Sequence, residues 1–398
     1  MRVLIVHNFY QQPGGEEVVA EREGALLAAR GHDVVNYRRS NAELDRLSPL
    51  GKLALPARMI WSEESVRQLR SVIRDYRPDV AHFHNTFMMI TPAAYYLCAG
   101  MGVPVIQSLH NPRLMCPAAS FYREGALCTE CLGRPFAYPG VLHGCYRHSR
   151  AQTAAVATMI AAHRAIGTWQ TRVHAYVAFT DFYRHLFVQA GLPPERLYVK
   201  PHFVSPDPGE RTTPPSDYAL FAGRLDPQKG VRTLLKAWRD LRGIPLKIAG
   251  AGQLLPEVQE AIEQGAEIEV VGWVGRERLI ELVKGARFLV WPSEGWFETF
   301  GLVAVEAFAC GVPVIGSKTG VMEEIVRDGE TGLHFEAGNA EDLTAKVRWA
   351  WEHPDELLAL GRGARREFES KYAADANYDQ LMAIYVSARA QLARDGGA

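Results

Sequence analysis

Short apolar runs recur along the chain, each closed by a polar or aromatic residue. RVLIVH (2–7), DVVNY (33–37), PDVAHFH (78–84) and VPVIQSLH (103–110) read as buried parallel strands. Between them, 16-EEVVAEREGALLAAR-30 and 65-SVRQLRSVIRDY-76 carry apolar residues at helical spacing, and Gly31 supplies a left-handed cap for the first. Strand alternating with helix predicts an open, doubly wound parallel sheet. Residues 201–218, PHFVSPDPGERTTPPSDY, break the rhythm with five prolines, which neither a helix interior nor a central strand accepts. The alternation then resumes with YALFAG (218–223), LKIAG (246–250), IEVVG (268–272), ARFLVWP (286–292), VPVIGS (312–317) and GLHFE (332–336).

The predicted fold class is therefore α/β, with two doubly wound, Rossmann-like domains facing a central cleft. The first domain spans 1–205 and carries a cysteine-containing insert at 111–148. A Pro-rich linker follows at 206–217, then a second domain at 218–372. A last amphipathic helix at 373–398 is expected to pack back on the first domain. Ligands of such sheets bind beyond the carboxyl ends of the strands, which makes the cleft the expected site.

Composition narrows the class. Hydrophobic residues at 47% and charged residues at 22% describe a folded globular protein. A net charge of -1 gives no reason to expect nucleic acid. The charge is unevenly placed: residues 1–205 hold 22 Lys/Arg against 15 Asp/Glu, and the remainder holds 22 against 30. A basic half suggests an anionic partner or a membrane surface, and the plain alternative is chance surface charge. Arg67, Arg70 and Arg74 share one helical face, which reads as a solvated face or as a lipid-headgroup contact. The apolar run 153-TAAVATMIAA-162 falls well short of the roughly 20 residues of a membrane span. With no signal-peptide pattern at 1-MRVLIVHNFY-10, the expected location is cytoplasmic, with peripheral contact at the inner face of the membrane.

The stretch 298-ETFGLVAVEAFACGVPVIG-316 carries the most chemistry. Glu298 lies in the loop before a predicted helix over Leu302–Cys310, and Glu306 lies about one turn inside it. The helix start at Phe300, Gly301 and Leu302 offers backbone N–H groups and the positive end of a dipole, a ready anion seat. Ionised carboxylates only accept hydrogen bonds, and a vicinal diol offers two donors. A ligand carrying both phosphate and hydroxyls would suit this arrangement.

Embedded in 292-PSEGWFETFGLVAVEAFACGVPVI-315, the Glu–seven–Glu frame resembles the hallmark of retaining glycosyltransferases of family 4 with the GT-B fold (glycosyl transferases group 1). The similarity extends to 13-PGGEE-17, 223-GRLDPQKG-230, 250-GAG-252 and 320-GVMEEIVRDGETGLHF-335. The resemblance implies that Glu306 binds the ribose hydroxyls of a nucleotide sugar and Glu298 the hydroxyls of the transferred sugar. It also implies that the amides of Phe300, Gly301 and Leu302 meet sugar or diphosphate. Arg224 and Lys229 would stabilise charge on the departing diphosphate. Gly14 and Gly15 would let backbone approach donor phosphate or acceptor. His110 would hydrogen-bond the donor sugar, and the family's usual His-Asp pair stands here as His110-Asn111. Val274 would offer a backbone contact to the nucleobase. His82, His84 and Asn85 close the neighbouring strand, where they would meet the acceptor or serve the structure. The family often carries Asn-Gly-Val-Asp where this chain reads 202-HFVSP-206.

No Asp-x-Asp occurs, so no obvious carboxylate seat exists for a divalent ion, and a metal-independent transfer without a catalytic cofactor is expected. The expected donor is a UDP- or GDP-sugar. The expected acceptor is a glycan or a polyprenyl or other lipid-linked molecule in cell-surface polysaccharide or glycoconjugate synthesis, receiving a hexosyl or N-acetylhexosaminyl group. No side chain has the setting of an activated nucleophile. The resemblance implies front-face attack, with the departing phosphate taking the acceptor's proton. Two rivals stand beside this reading: a sugar-nucleotide epimerase, and a non-catalytic sugar-nucleotide-binding protein. Cys116, Cys128, Cys131 and Cys145 fall within the insert, with His143 and His148 nearby. They read as a structural zinc site or as a cluster of reduced thiols. Cys98 and Cys310 read as small core residues.

Overall fold

The computed structural model describes residues 1–11, 14–296 and 298–396; Pro13 and Phe297, both inside motifs quoted above, lie outside them. The chain divides into two compact units. The first joins Met1–Ser120, Thr129–Lys200 and the residues from Tyr378 on; the second joins Phe121–Cys128 and Pro201–Asn377. The break falls at Lys200/Pro201, ahead of the Pro-rich stretch. There the Val204 amide donates to Tyr372 O and the His202 ring packs edge-to-face on Phe300, tying 201–204 to the second unit.

In the first unit, β1 (Arg2–Phe9), β2 (Asp33–Ser40), β3 (Val80–Asn85) and β4 (Val105–Ser108) are parallel strands, as their apolar runs predict. Tyr122–Arg123 (β5) and Ala126–Leu127 (β6) make a small antiparallel hairpin, which belongs to the second unit. Two further strands, β7 (Ala175–Ala178) and β8 (Leu197–Val199), complete a six-stranded sheet in the order β2-β1-β3-β4-β7-β8. The order reverses between β1 and β3, so the loops after those strands diverge and leave a crevice at their carboxyl ends. Pairing of β1 with β3 shifts between Val6 and His7, which sets His7 opposite Asn85 and leaves His84 as the extra residue.

The second sheet runs β11-β10-β9-β12-β13-β14. Its strands are Ala219–Ala222 (β9), Leu246–Ala249 (β10), Ile268–Gly272 (β11), Leu289–Trp291 (β12), Val314–Ser317 (β13) and Gly332–Phe335 (β14). All are parallel and close on a core that includes Leu234, Trp238, Ile248 and Phe288. Here the order reverses between β9 and β12. The last helix, Ala374–Gly396, begins in the second unit and continues in the first, where Tyr378 and Tyr385 hydroxyls meet His32 and His82.

Candidate functional site

In the second unit the loops after β9 and β12 converge on one ion pair. Lys229 closes a short 3-10 turn, Pro227–Lys229, instead of opening the helix, which begins at Val231. Its ammonium lies 2.5 Å from Glu298 Oε1. The same oxygen accepts from Trp291 Nε1 at 3.1 Å and Ser293 Oγ at 2.8 Å. Burial pushes the Glu298 carboxyl up, but the Lys229 charge and these hydrogen bonds outweigh it and hold the group below the usual carboxylate range. Two glycines make the convergence sterically feasible. A Cβ on Gly230, whose φ is +69°, would fall 1.8 Å from Pro292 O, and one on Gly301 would fall 2.0 Å from the buried Trp291 ring. Glycine thus lets the Gly230 backbone close on the Pro292 carbonyl and the Gly301 backbone close on the Trp291 ring.

The helix Leu302–Ala309 starts beside this pair, as predicted. Glu306 is buried within it, and Arg276 Nε lies 3.6 Å from its Oε1. Arg276 is the first residue of the helix Arg276–Gly285, and its guanidinium also donates to Ser205 O. Sequence reasoning missed this arginine, although it follows Val274 by two residues and opens a helix after a strand. Phe300 is buried, while Leu302 and Val274 are half-buried. Arg224 sits apart from Glu298 as a 58% exposed side chain, 3.4 Å from Asp226. The sequence expectation gave Lys229 wholly to the diphosphate. In the fold, the lysine and Glu298 first satisfy each other, because a buried carboxylate needs a partner.

The first unit builds a different site from four histidines. Glu23, in the helix Gly15–Ala29, is fully buried and ion-paired with Lys200 at 2.9 Å through Oε2. Its Oε1 faces His82 Nδ1 at 2.8 Å and His84 Nε2 at 3.4 Å. His82 Nε2 pairs with Ser108 Oγ, and His84 Nδ1 with His110 Nε2 at 3.0 Å. His7 lies alongside, with its ring centroid 6.4 Å from that of His84. Burial pushes the Glu23 carboxyl up, but Lys200 and the imidazoles hold it well below the ordinary range. Burial lowers His84 to about 4, aided by His82, and lowers His7 to about 3.

His110 stands two residues past the end of β4 and is half-buried, so it does not close the strand itself. Asn111 does not serve His110: its amide donates to Tyr10 OH and its carbonyl accepts from the Arg113 amide. Asn85 ties β3 to β1 through Asn8 O and caps the Phe87 amide, a structural role. Glu17 folds back on the glycine loop and accepts from the amides of Tyr10 and Gly14, so the Gly14 N–H is committed inside the protein. Gly14 has φ -132°, which any residue adopts, and a Cβ there would meet nothing within 4 Å. Nothing in the fold itself requires glycine at that position. Glu16 was also missed: burial pushes its carboxyl up to about 8, against the pull of Arg113 and a hydrogen bond from Asn111.

Two metal arrangements can be weighed. Among the described residues, Glu23, His82 and His84 are the one group whose ligand atoms gather within 4.8 Å of one another. Lys200 already supplies that carboxylate's counter-charge, so the group forms an ion pair braced by imidazoles. A zinc thiolate site brings its sulfurs to roughly 4 Å from one another. Among the described residues, no three of Cys116, Cys128, Cys131 and Cys145 bring their sulfurs within 4.8 Å of one another. His143, a spare ligand by sequence, pairs with Glu130 at 3.2 Å. Cys98 and Cys310 are buried core thiols. Among the described residues no helix is long and apolar enough to cross a membrane.

Comparison with known proteins agrees with this architecture. Residues 209–367 match the family described as glycosyl transferases group 1, and residues 13–208 match glycosyltransferase family 4. An uncharacterised glycosyltransferase of Methanocaldococcus jannaschii is 33% identical over 159 residues, 39% of this chain and 44% of that protein. A D-inositol 3-phosphate glycosyltransferase of Rhodococcus erythropolis is 31% identical over 193 residues, 45% of this chain and 42% of that protein. The chain thus spans less than half the length of these curated relatives. HepE of Anabaena, solved in complex with UDP, superimposes with a TM-score of 0.64 at 17% identity, covering 97% of this chain and 100% of that one. The same protein is known with UDP-glucose. At that identity the likeness speaks for the fold alone. Two parallel sheets, each reversing its strand order beside a cluster of charged residues, and family matches running from 13 to 367 lead to one assignment: the chain belongs to glycosyltransferase family 4 and has the GT-B fold.

Proposed function

We propose that the protein is a retaining glycosyltransferase that moves a sugar from a nucleotide-sugar donor to a glycan or lipid-linked acceptor. The observation that carries this reading is a pair of carboxylates at the start of the helix Leu302–Ala309, Glu298 in the loop before it and Glu306 buried one turn inside, each held by its own cation. A carboxylate fixed in this way keeps its remaining lone pairs for hydroxyl donors. Glu306 accepts from the ribose and Glu298 from the transferred sugar. Lys229 has three N–H donors, so it can hold Glu298 and a phosphate oxygen together. Arg224, exposed on the same loop and apart from the pair in this structure, would add charge as the sugar–phosphate bond breaks. The amides of Phe300, Gly301 and Leu302 and the backbone of Val274 complete the donor seat. No metal is required in this scheme, because cations and the helix start supply the charge. The UDP and UDP-glucose complexes of HepE support a UDP-sugar as the class to try first, with GDP-sugars next.

On the acceptor side, His110 and the glycine loop at Gly14 and Gly15 are the contacts this reading uses. The basic first half suits a phosphorylated or membrane-borne acceptor, such as a polyprenyl-linked glycan in surface polysaccharide synthesis. The test is a panel of UDP- and GDP-sugars scored by thermal shift and donor hydrolysis, on wild type, Arg224→Ala and Glu306→Gln. One donor should raise the melting temperature of the wild type, and both variants should lose most of that rise while melting normally without donor. Equal shifts in all three proteins would refute the site.

A further inference from the structure

Glu23, His84 and His110 form a chain of one carboxylate and two imidazoles at the carboxyl ends of β3 and β4. Its charges leave little freedom for protons. Glu23 is ionised, since Lys200 sits on Oε2 and the other oxygen faces two rings. His84 Nε2 lies 3.4 Å from Glu23 Oε1 without hydrogen-bond alignment, and a bare lone pair that close to an anion would be repelled, so His84 carries its proton on Nε2. A second proton on His84 would place an imidazolium in full burial beside His82 and Lys200, and the geometry opposes it. His84 Nδ1 is then a bare acceptor, 3.0 Å from His110 Nε2. Two lone pairs cannot face each other at that distance, so the hydrogen of this bond comes from His110.

We propose that Glu23 and His84 are positioning residues that fix His110 as its Nε2–H tautomer, with Nδ1 as the nitrogen that accepts. The relevance to sugar transfer rests on the reading of His110 given above; the tautomer itself does not. A ring held in this way meets a hydroxyl as a hydrogen-bond acceptor, which would orient a sugar or acceptor O–H without competing for the negative phosphate. The other groups packed against the chain agree with this assignment. His82 is turned to Ser108, Tyr385 and Glu23, His7 meets His84 edge-on, and Phe179 lies against His110 with ring centroids 4.9 Å apart. None of these offers His84 Nδ1 a competing hydrogen.

The test is a long-range proton–nitrogen NMR spectrum of the full chain labelled with 15N-histidine, with His110 assigned by its loss in His110→Asn. The wild type should show His110 Nε2 at a protonated shift and Nδ1 at an unprotonated one. His84→Leu should collapse the two toward an averaged, tautomer-mixed pair. His84→Gln should restore the wild-type pattern, because its amide can donate to Glu23 and its carbonyl can accept from His110. Finding His110 as Nδ1–H in the wild type overturns the proposal, and this spectrum decides even if His84→Leu fails to fold. An unchanged His110 pattern in folded His84→Leu overturns it equally. Neither result depends on whether any sugar donor binds.

Discussion

The two units solve the same electrostatic problem in opposite ways. The first buries Glu23 and Lys200 completely and surrounds them with imidazoles from β1, β3 and the segment after β4. The second leaves Glu298 and Lys229 at 13% and 17% exposure, on loops, with a helix start beside them. A fully buried pair is insulated from water and has one stable arrangement, which suits a fixed scaffold. A partly exposed pair can exchange part of its hydrogen bonding for a ligand. On the reading proposed above, the first cluster orients and the second binds.

The largest expected effect is on the buried pair. Glu23→Ala strands the Lys200 ammonium and should destabilise the first unit by ~3–5 kcal/mol. Hydrogen exchange resolved along the chain would show the loss confined to peptides of that unit. Glu23→Leu combined with Lys200→Met should lose less than Glu23→Ala alone; an equal or greater loss would contradict the charge argument.

Acid should separate the two units next. His7, His84 and His174 have pKa values lowered in the fold, to about 3, 4 and 4, from the 6.5 of a free histidine. Burial is the main cause in each. The unfolded chain therefore takes up protons first as pH falls below 6.5, and each residue's stability is lost progressively from there to its folded pKa. In the second unit the depressed groups include Glu298 and Asp207, the latter held down by Arg365. Carboxylates of this kind contribute stability above their unfolded pKa, near 4, and lose it as pH falls through the folded value. Urea unfolding between pH 7 and pH 5 should weaken the first unit while sparing the second. Parallel decline of both would erase the contrast.

Gly301→Ala should have a smaller and more local effect. Its new Cβ would collide with Trp291, whose indole holds Glu298, so a loss of about 1–3 kcal/mol is expected with a changed tryptophan emission. An unperturbed emission spectrum would show that the Trp291 contact is soft. Smallest in stability is Gly14→Ala, which should move the midpoint by less than about 0.5 kcal/mol, because the space is open and φ is ordinary. If donor or acceptor kinetics are also unchanged in that variant, the glycine has no ligand to accommodate.

Much of the fold was legible because buried parallel strands are continuous apolar runs. Those quoted from the sequence, from RVLIVH to GLHFE, all contain observed strands. AYVA and LYV, the cores of β7 and β8, were passed over because runs of four and three residues carry little pattern. Glu298 and Glu306 were found because their frame is local. Arg276, the partner of Glu306, was missed. Lys229 was singled out for the diphosphate, but its pairing with Glu298, 69 positions away, was not, because pairing at that separation leaves no trace in periodicity. Lys200 and Glu23, 177 positions apart, were invisible for the same reason. His84, read as an acceptor contact or a structural residue, makes its contacts here with Glu23 and His110.

The most direct measurement is hydrogen exchange with and without whichever UDP- or GDP-sugar gives the thermal shift. The account predicts slowed exchange in peptides covering 223–230 and 298–306, and loss of that protection in Glu306→Gln. Protection confined to other segments, with those two unchanged, would place the donor elsewhere and contradict the central claim.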